Sequence, residues 1–300
     1  MARSLPSVVA IVLATVLVPA AGPARGQGGP PPAVIGGVTT YTVRNGDTLL
    51  GVGARFGVGA DVLARDNGLA ANTKLAAGQL LRIDNGHIVP VLPEPGTLVI
   101  NIPQRMLFHG AGVGQVEGYP VAVGRPDWQT PIGEFVVMAK EEQPTWDVPA
   151  SILEESRRQG RELPAKVPPG PNNPLGAYWI GLSLPGIGLH GTNVSSSVFR
   201  VVTHGCMRMQ PDDIARLFPA IQLGARGRTI YEPVLVAGQG NAVYLEVRRD
   251  VYRRGTGEPR LKARALAAAA GLSDRIDWNL ADAVAASAHG VARDVTLRVP

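Results

Sequence analysis

The chain has 300 residues, a length that allows about two domains of typical size. It is 45% apolar and 18% charged, with 37 glycines and 26 prolines, a composition that excludes a coiled coil and a wholly disordered chain. The net charge of +5 is spread without a dense basic segment, so we expect no nucleic-acid partner. Cys206 is the only cysteine, which excludes an intramolecular disulfide and a multi-cysteine zinc site.

The N-terminus has the pattern of an export signal. An apolar run of 11 residues, Val8–Val18, is followed by small residues, with cleavage expected after Ala20 or Ala24. The run is about half of the ~20 residues needed to cross a bilayer, which favours a signal peptide over a membrane anchor. We therefore predict a signal peptide over 1–24 and, from its Gly and Pro content, a linker over 25–38.

Residues 39–84 predict a small module of strand, helix, helix and strand. Alternating apolar residues indicate a strand at Tyr41–Val43 and a returning strand at Leu80–Ile83. Asp47 is the expected N-cap of the first helix, and Asp61–Asn67 is the second helix. The residues expected to face inward from the first helix are Leu49, Leu50, Val52 and Phe56.

This module resembles a lysin motif (LysM) domain, a family that binds N-acetylglucosamine-containing glycans such as peptidoglycan or chitin. The resemblance implies a shallow glycan groove with contacts near Gly46, Asp47, Thr48, Asn67 and Gly68. A structural interpretation of the same residues stays open, because the two glycines suit turns and Asp47 suits a helix cap without any ligand. The resemblance rests on Tyr41-Thr42-Val43, Gly46-Asp47-Thr48-Leu49, Phe56, Asn67-Gly68 and Gly78-Gln79.

Beyond a proline-containing hinge at 85–95, residues 96–232 predict a strand-rich domain. A long, Pro-rich and charged stretch, 141–175, interrupts it and is expected to form a lid. Short strands are expected at Leu98–Ile100, Met106–Phe108, Tyr119–Val123 and Phe135–Met138.

Residues 233–300 predict an accessory α/β tail to which the sequence assigns no chemistry. A strand at Val243–Val247, two Ala-rich helices and a final strand near Val295–Val299 are expected. Seven basic residues in this tail are expected to form a solvated face; they are Arg248, Arg249, Arg253, Arg254, Arg260, Lys262 and Arg264.

The candidate reactive group is Cys206, with His204 two residues before it and His190 sixteen before it. A cysteine nucleophile needs a thiolate, which an adjacent base or a positive field supplies. Gly205 predicts a sharp turn whose backbone amides form an oxyanion hole for an incoming carbonyl. Arg208 is placed to raise the local positive potential or to hold a substrate carboxylate.

Composition alone leaves two other interpretations of these residues. Cys206 can be a buried, small apolar side chain with structural histidines around it. His190, His204 and Cys206 can also provide three zinc ligands, although His-x-Cys is not a usual zinc spacing and no acidic base lies beside it.

The combined pattern resembles the L,D-transpeptidase catalytic domain of the YkuD type. His190-Gly191-Thr192-Asn193 is followed by Thr203-His204-Gly205-Cys206-Met207-Arg208-Met209, and the stretches 120–124, 130–135 and 170–176 agree with the family as well. The family implies a mostly-β catalytic fold that forms peptidoglycan cross-links. The expected fold class is therefore α+β: a βααβ LysM module, a mostly-β catalytic domain with a lid insert, and a C-terminal accessory α/β tail.

The resemblance implies that Cys206 is the nucleophile and that His190 is the proton donor and acceptor, with no metal and no cofactor. Because Gly191 follows the catalytic histidine, a backbone carbonyl is expected to orient the imidazole. The residues expected to shape the acyl pocket or oxyanion site are Thr203, His204, Gly205 and Arg208.

The implied reaction is acyl transfer from a peptidoglycan tetrapeptide stem through a thioester, with release of D-Ala. The acceptor stays open between a diaminopimelate amine, a lysine of an outer-membrane lipoprotein, and water. A non-catalytic wall-binding scaffold and a cysteine peptidase or amidase are the rival functions. For the enzyme we expect a periplasmic location, acylation by carbapenems, and a Cys206 thiolate at neutral pH.

Overall fold

The computed structural model describes residues 33–298, and the predicted signal peptide and most of the linker lie outside the described residues. The described chain forms three consecutive units that pack against one another. None of the helices between residues 33 and 298 is long and apolar enough to cross a membrane.

The first unit has the predicted order of strand, helix, helix and strand. Its two main strands pair antiparallel, with Tyr41 opposite Leu81, and two helices cover a core that includes Val52 and Val62. A further short strand pair flanks this unit. The elements are β1 (Val34–Ile35), β2 (Val38–Thr42), α1 (Leu49–Phe56), α2 (Ala60–Asp66), β3 (Leu80–Asp84) and β4 (His87–Ile88).

Two details of the first helix differ from the sequence prediction. Thr48, not Asp47, is the N-cap, because its hydroxyl oxygen accepts the Gly51 N–H at 3.0 Å. The Asp47 carboxylate instead accepts the Tyr41 hydroxyl at 2.6 Å. The helix therefore begins one residue later than a cap at Asp47 requires, and Leu50 is 41% exposed rather than inward-facing.

The second unit is a β-sheet that closes on itself. Eight strands follow one another in the order β7-β14-β12-β11-β8-β15-β5-β6, and β6 pairs with β7 to close the ring, with β13 beside β7. The predicted strands in this region are confirmed, several of them longer than expected. The bounds are β5 (Leu98–Asn101), β6 (Met106–Gly112), β7 (Gln115–Gly124), β8 (Gly133–Glu142), β11 (Tyr178–Leu182), β12 (Gly188–His190), β13 (Val201–Thr203), β14 (Met207–Met209) and β15 (Arg226–Ile230).

One helix outside the ring closes the core of this unit. This helix, α4 (Pro211–Ala220), begins at a proline, which needs no backbone N–H partner in the first turn. It packs against β11 through Phe218, whose ring centroid lies 4.7 Å from that of Tyr178. A 3₁₀ turn, Ser195–Ser197, precedes β13.

The predicted lid stretch leaves the ring between β8 and β11. It contains a short antiparallel pair, β9 (Trp146–Asp147) with β10 (Lys166–Val167), and the helix α3 (Ala150–Arg158) between them. Four charged residues of this stretch, Glu154, Glu155, Arg157 and Arg158, lie on α3, and Glu155 reaches His204 in the turn that carries Cys206.

The third unit packs a three-stranded antiparallel sheet against two helices. The final strand, Arg293–Asp294, is shorter and earlier than predicted, and between it and residue 298 only Thr296 forms an isolated bridge, to Ile276. The predicted strand at 243–247 and the two Ala-rich helices are confirmed. The elements are β16 (Val234–Gln239), β17 (Ala242–Val247), α5 (Pro259–Ala269), a 3₁₀ turn (Ser273–Arg275), α6 (Trp278–Ser287) and β18 (Arg293–Asp294).

The third unit contacts both of the others. Arg293 forms ion pairs with Asp66 at 2.7 Å and with Asp84 at 2.5 Å, both in the first unit. The expectation of a solvated basic face is wrong for Arg248, which is only 5% exposed. Its guanidinium pairs with the buried Glu246 carboxylate on β17, since a buried charge needs a partner of opposite sign.

Candidate active site

Two neighbouring strands bring His190 and Cys206 into one region. β12 and β14 pair in parallel, with Leu189 opposite Met207 and His190 opposite Arg208. His190 ends β12, and Cys206 comes directly before β14. Side chains that are sixteen residues apart in sequence thus lie on adjacent strands of the closed sheet.

The turn before Cys206 is held by a set of backbone contacts. Gly205 has a φ of +109°, and a Cβ there would lie 2.8 Å from Ile187 Cδ1, so only glycine fits. The Thr203 hydroxyl accepts the Gly205 N–H at 3.2 Å and donates to the Cys206 carbonyl at 2.6 Å. The Gly205 amide is therefore engaged inside the turn, and Thr203 serves to fix its shape.

Tyr252, a residue of the third unit that the sequence analysis did not single out, secures this turn through Thr130. The Thr130 hydroxyl donates to the Gly205 carbonyl at 2.8 Å. The Tyr252 hydroxyl in turn accepts the Thr130 N–H at 3.1 Å and donates to the Gly124 carbonyl at 2.8 Å. No local motif marks Tyr252, because its partners lie more than a hundred residues away in the chain.

The Cys206 side chain is half-buried, and its thiol lies 3.4 Å from the Gly186 carbonyl, to which it donates. Burial raises the pKa of this thiol, while the Gly188 N–H and the charge of Arg208 act in the opposite direction without reversing the shift. This direction favours a neutral thiol in the resting site and runs against the expectation of a thiolate at neutral pH, which stays a prediction to be tested by labelling.

The His190 ring is buried and oriented by a backbone carbonyl, as the glycine at position 191 led us to expect. Its Nδ1 lies 2.7 Å from the Gly191 carbonyl oxygen. Because a carbonyl only accepts, Nδ1 carries the hydrogen and Nε2 keeps a free electron pair. Burial, together with the charge of Arg208, lowers the pKa of His190 to about 4, so the ring is neutral at pH 7. Trp179 stacks on it at 6.0 Å.

Arg208 provides the positive charge between the two groups. Its Nη1 donates to the Ser197 hydroxyl at 2.9 Å. Its Nε is buried, and among residues 33–298 no acceptor lies within hydrogen-bond distance of it. Arg208 thus keeps one unpaired donor among the described residues, and its carboxylate-binding role stays a prediction.

His204 contacts the lid. Its Nε2 lies 2.5 Å from a carboxylate oxygen of Glu155 on α3 and 3.1 Å from Nη1 of Arg125, which also donates to Glu155. The edge of Trp128 packs on the imidazole at 4.8 Å. This four-residue group, here called the lid contact, fixes α3 beside the Cys206 turn. The sequence analysis placed His204 near the site but missed its three partners.

The candidate glycan-binding residues of the first unit already have structural partners. The Asn67 amide donates to the Leu63 and Arg82 carbonyls and accepts the Arg82 N–H at 2.7 Å. Gly46 and Gly68 have φ values of +83° and +65°, as turns require. The Thr48 side chain caps α1, and the Asp47 carboxylate accepts the Tyr41 hydroxyl and the Arg44 N–H. Over the described range 33–298, no group of three or more His, Cys, Asp or Glu side chains is arranged to hold a metal ion.

A thiol and a neutral imidazole on adjacent strands of a mostly-β domain are the arrangement of a cysteine acyl-transfer enzyme. Residues 95–236 match the L,D-transpeptidase catalytic domain (YkuD), and residues 41–84 match the LysM domain. The chain is 32% identical to the probable L,D-transpeptidase YcfS of Escherichia coli over 77% of this chain and 75% of the relative. It is 30% identical to the probable L,D-transpeptidase ErfK/SrfK of Salmonella typhimurium, over 73% and 72%. A third relative, YkuD of Bacillus subtilis, is 30% identical over 62% and 96%. The chain belongs to the L,D-transpeptidase family and carries an N-terminal LysM domain.

Proposed function

We propose that this chain is an exported peptidoglycan L,D-transpeptidase whose nucleophile is Cys206 and whose general base is His190. The observation that carries the proposal is the Nδ1–H of His190 on the Gly191 carbonyl at 2.7 Å, because it fixes the tautomer with a free Nε2. A neutral ring with its pKa near 4 is ready to accept a proton at neutral pH.

In the first step, Cys206 Sγ attacks the carbonyl carbon of the third residue of a tetrapeptide stem. The S–C bond forms as the thiol proton passes to His190 Nε2, and the carbonyl electron pair moves onto oxygen. Collapse of this intermediate breaks the peptide C–N bond, and His190 returns the proton to the leaving D-Ala amine. The raised pKa of the resting thiol means that deprotonation accompanies the attack instead of preceding it.

In the second step, an acceptor amine attacks the thioester. His190 Nε2 takes a proton from the amine, the C–S bond breaks, and the proton returns to the sulfur, which restores the resting thiol and imidazole. The free donor of Arg208 and the backbone amide of Cys206 are suited to hold the carboxylate or the oxyanion. An amine acceptor gives a 3-3 cross-link or a lipoprotein attachment, and water gives an L,D-carboxypeptidase.

The remaining parts fit a wall enzyme. In this proposal the signal peptide (1–24) directs export to the periplasm. The LysM domain (39–84), joined by the linker 25–38 and the hinge 85–95, holds the catalytic domain (96–232) on glycan strands, with contacts at Gly46, Asp47, Thr48, Asn67 and Gly68. The lid contact covers a groove for the peptide stem beside the Cys206 turn, and residues 233–300 brace that turn through Tyr252.

The test uses the mature protein with a disaccharide-tetrapeptide, with and without an amine acceptor, followed by intact-mass and product-mass measurement. We expect a thioester adduct and D-Ala release, with a cross-linked product only when the acceptor is present. Cys206→Ser and Cys206→Ala test the nucleophile, and Thr192→Ser, which keeps a hydroxyl beside Gly191, is the matched control.

Carbapenem acylation separates the rival functions. A single adduct on the wild type that is lost in Cys206→Ala supports the enzyme. A folded wild-type protein that binds peptidoglycan but forms neither adduct nor product would favour the wall-binding scaffold. D-Ala release that does not depend on an acceptor would favour the carboxypeptidase.

A further inference from the structure

A cavity of about 270 Å³ lies where the three units meet, away from Cys206. Each unit contributes to its wall: Asp61 comes from α2, Arg105 from the turn between β5 and β6, and Arg248, Arg249 and His289 from the third unit. The proposed reaction uses none of these five residues.

Arg105 is the least compensated charge in the cavity wall. Its Nε is buried and makes no hydrogen bond with any of residues 33–298. Its guanidinium stacks on the Phe199 ring at 4.4 Å. Burial and the nearby charge of Arg248 lower the pKa of Arg105 to about 9, which shows that two positive groups are held close together.

Arg248 packs on the same aromatic ring, with its Cζ 5.0 Å from the Phe199 centroid. Its Nε and Nη2 lie 3.3 Å from one oxygen of Glu246, and Nη2 lies 3.4 Å from His87 Nδ1. The Glu246 carboxylate is shared with the His87 ring and with the Ile88 N–H. Glu246 therefore cannot also neutralise Arg105 by direct contact.

The charges around the cavity do not balance. Three guanidinium groups, Arg105, Arg248 and Arg249, face two carboxylates, Asp61 and Glu246, which leaves one positive charge in excess. His289 does not add to it, because burial and the charges of Arg65 and Arg293 lower its pKa below the ordinary value.

We propose that this cavity binds a small oxyanion, a carboxylate or a phosphate group, between the guanidinium groups of Arg105, Arg248 and Arg249. Guanidinium groups donate paired N–H bonds to both kinds of oxyanion, and such charge-assisted bonds are the strong ones in a partly dry site. A bound oxyanion supplies the acceptor that Arg105 Nε lacks. Because its ligands come from two units, it also ties the third unit to the catalytic domain.

The proposal is tested by calorimetric titration of the mature full-length protein at low ionic strength. Sodium phosphate, dimethyl phosphate and sodium acetate are the probes. Saturable binding of dimethyl phosphate assigns the site to phosphodiesters such as those of wall polymers. Saturable binding of acetate without dimethyl phosphate assigns it to carboxylates such as those of stem peptides. Either result supports the site, and no saturable heat with any probe up to about 10 mM overturns it.

Arg105→Met keeps the apolar stem and removes the charge, and it is expected to weaken binding by about tenfold or more. Arg249→Met at the exposed rim is expected to weaken binding by about threefold and carries the test if Arg105→Met does not fold. Arg157→Met, on the exposed side of α3, is the matched control and is expected to bind as the wild type does. Binding that survives in a folded Arg105→Met and in Arg249→Met overturns the proposal. Neither variant touches Cys206 or His190, so failure here leaves the acyl-transfer proposal standing.

Discussion

Replacing Tyr252 with phenylalanine isolates the contact by which the third unit supports the Cys206 turn. The change removes one hydroxyl and leaves the ring in its buried position, 5.6 Å from Tyr231. It deprives the Thr130 N–H, at 3.1 Å, and the Gly124 carbonyl, at 2.8 Å, of a shared partner. The Thr130 hydroxyl donates to the Gly205 carbonyl, so a displaced Thr130 also displaces the residue directly before Cys206.

Two magnitudes follow from these contacts. Leaving buried polar groups unpaired costs about 1–3 kcal/mol of the free energy of unfolding, which in a chain of this size lowers Tm by a few degrees. A small displacement of the turn is expected to slow acylation of Cys206 by about tenfold, equivalent to about 1.4 kcal/mol of activation free energy. The protein remains folded at 25 °C, where the rate is measured.

The assay follows the carbapenem adduct by intact mass as a function of drug concentration, which separates the limiting acylation rate from binding. Tyr119→Phe is the control: Tyr119 is also buried, and its hydroxyl makes a hydrogen bond of 2.5 Å to Glu117 that the change removes, where Tyr252→Phe removes two. Tyr119 does not contact the turn. Thr130→Val completes a double-mutant cycle, in which effects that act through Gly205 are not additive. If Tyr252→Phe acylates within twofold of Tyr119→Phe, the turn is positioned without Tyr252 and the reasoning fails.

Three further predictions concern the site. The pH dependence of iodoacetamide labelling is expected to give Cys206 a pKa above that of a free cysteine, because burial disfavours the thiolate. Arg208→Met is expected to move the midpoint of this labelling curve to still higher pH. A midpoint near pH 7 in the wild type contradicts the prediction. His190→Gln is expected to lower the acylation rate by at least about a hundredfold, while Cys206 stays accessible to small thiol reagents. A variant that keeps more than a tenth of the wild-type rate argues against a general-base role for His190. Glu155→Gln removes the charge that meets His204 and Arg125, so limited proteolysis within 141–175 becomes faster; unchanged proteolysis means that other contacts hold the lid.

The sequence was most informative where a local pattern determines the structure. The alternation at Val243–Val247 and the glycine after Asn67 correspond to a strand and a left-handed turn in the structure. Cap choice is a finer question, because Asp47 and Thr48 are both good N-caps and stand side by side. The Tyr41 hydroxyl and the Arg44 N–H donate to Asp47, and the sequence alone does not show either of these hydrogen bonds.

Long-range contacts could not be predicted in the same way. Glu155 and His204 are 49 residues apart, and only the packing of α3 brings them together. Arg248 lies in a basic stretch that suggests solvent exposure, yet it directly follows β17 and pairs in the interior with Glu246, two residues before it. The protonation of Cys206 depends on burial, which raises the pKa of its thiol and which a sequence motif does not encode.

The third unit acts on both sides of the strand that follows Cys206, which gives the accessory region a structural role in the site. On one side, Arg248 packs on Phe199, and Phe199 follows the 3₁₀ turn whose Ser197 hydroxyl accepts from Arg208. On the other side, Tyr252 holds Thr130 and, through it, the Gly205 carbonyl. Arg248 and Tyr252 belong to one short segment after β17, so a shift of that segment displaces the Arg208 partner and the Cys206 turn together. The described part of the third unit, residues 233–298, is therefore part of the framework that positions the Cys206 turn, although none of its residues takes part in the proposed chemistry.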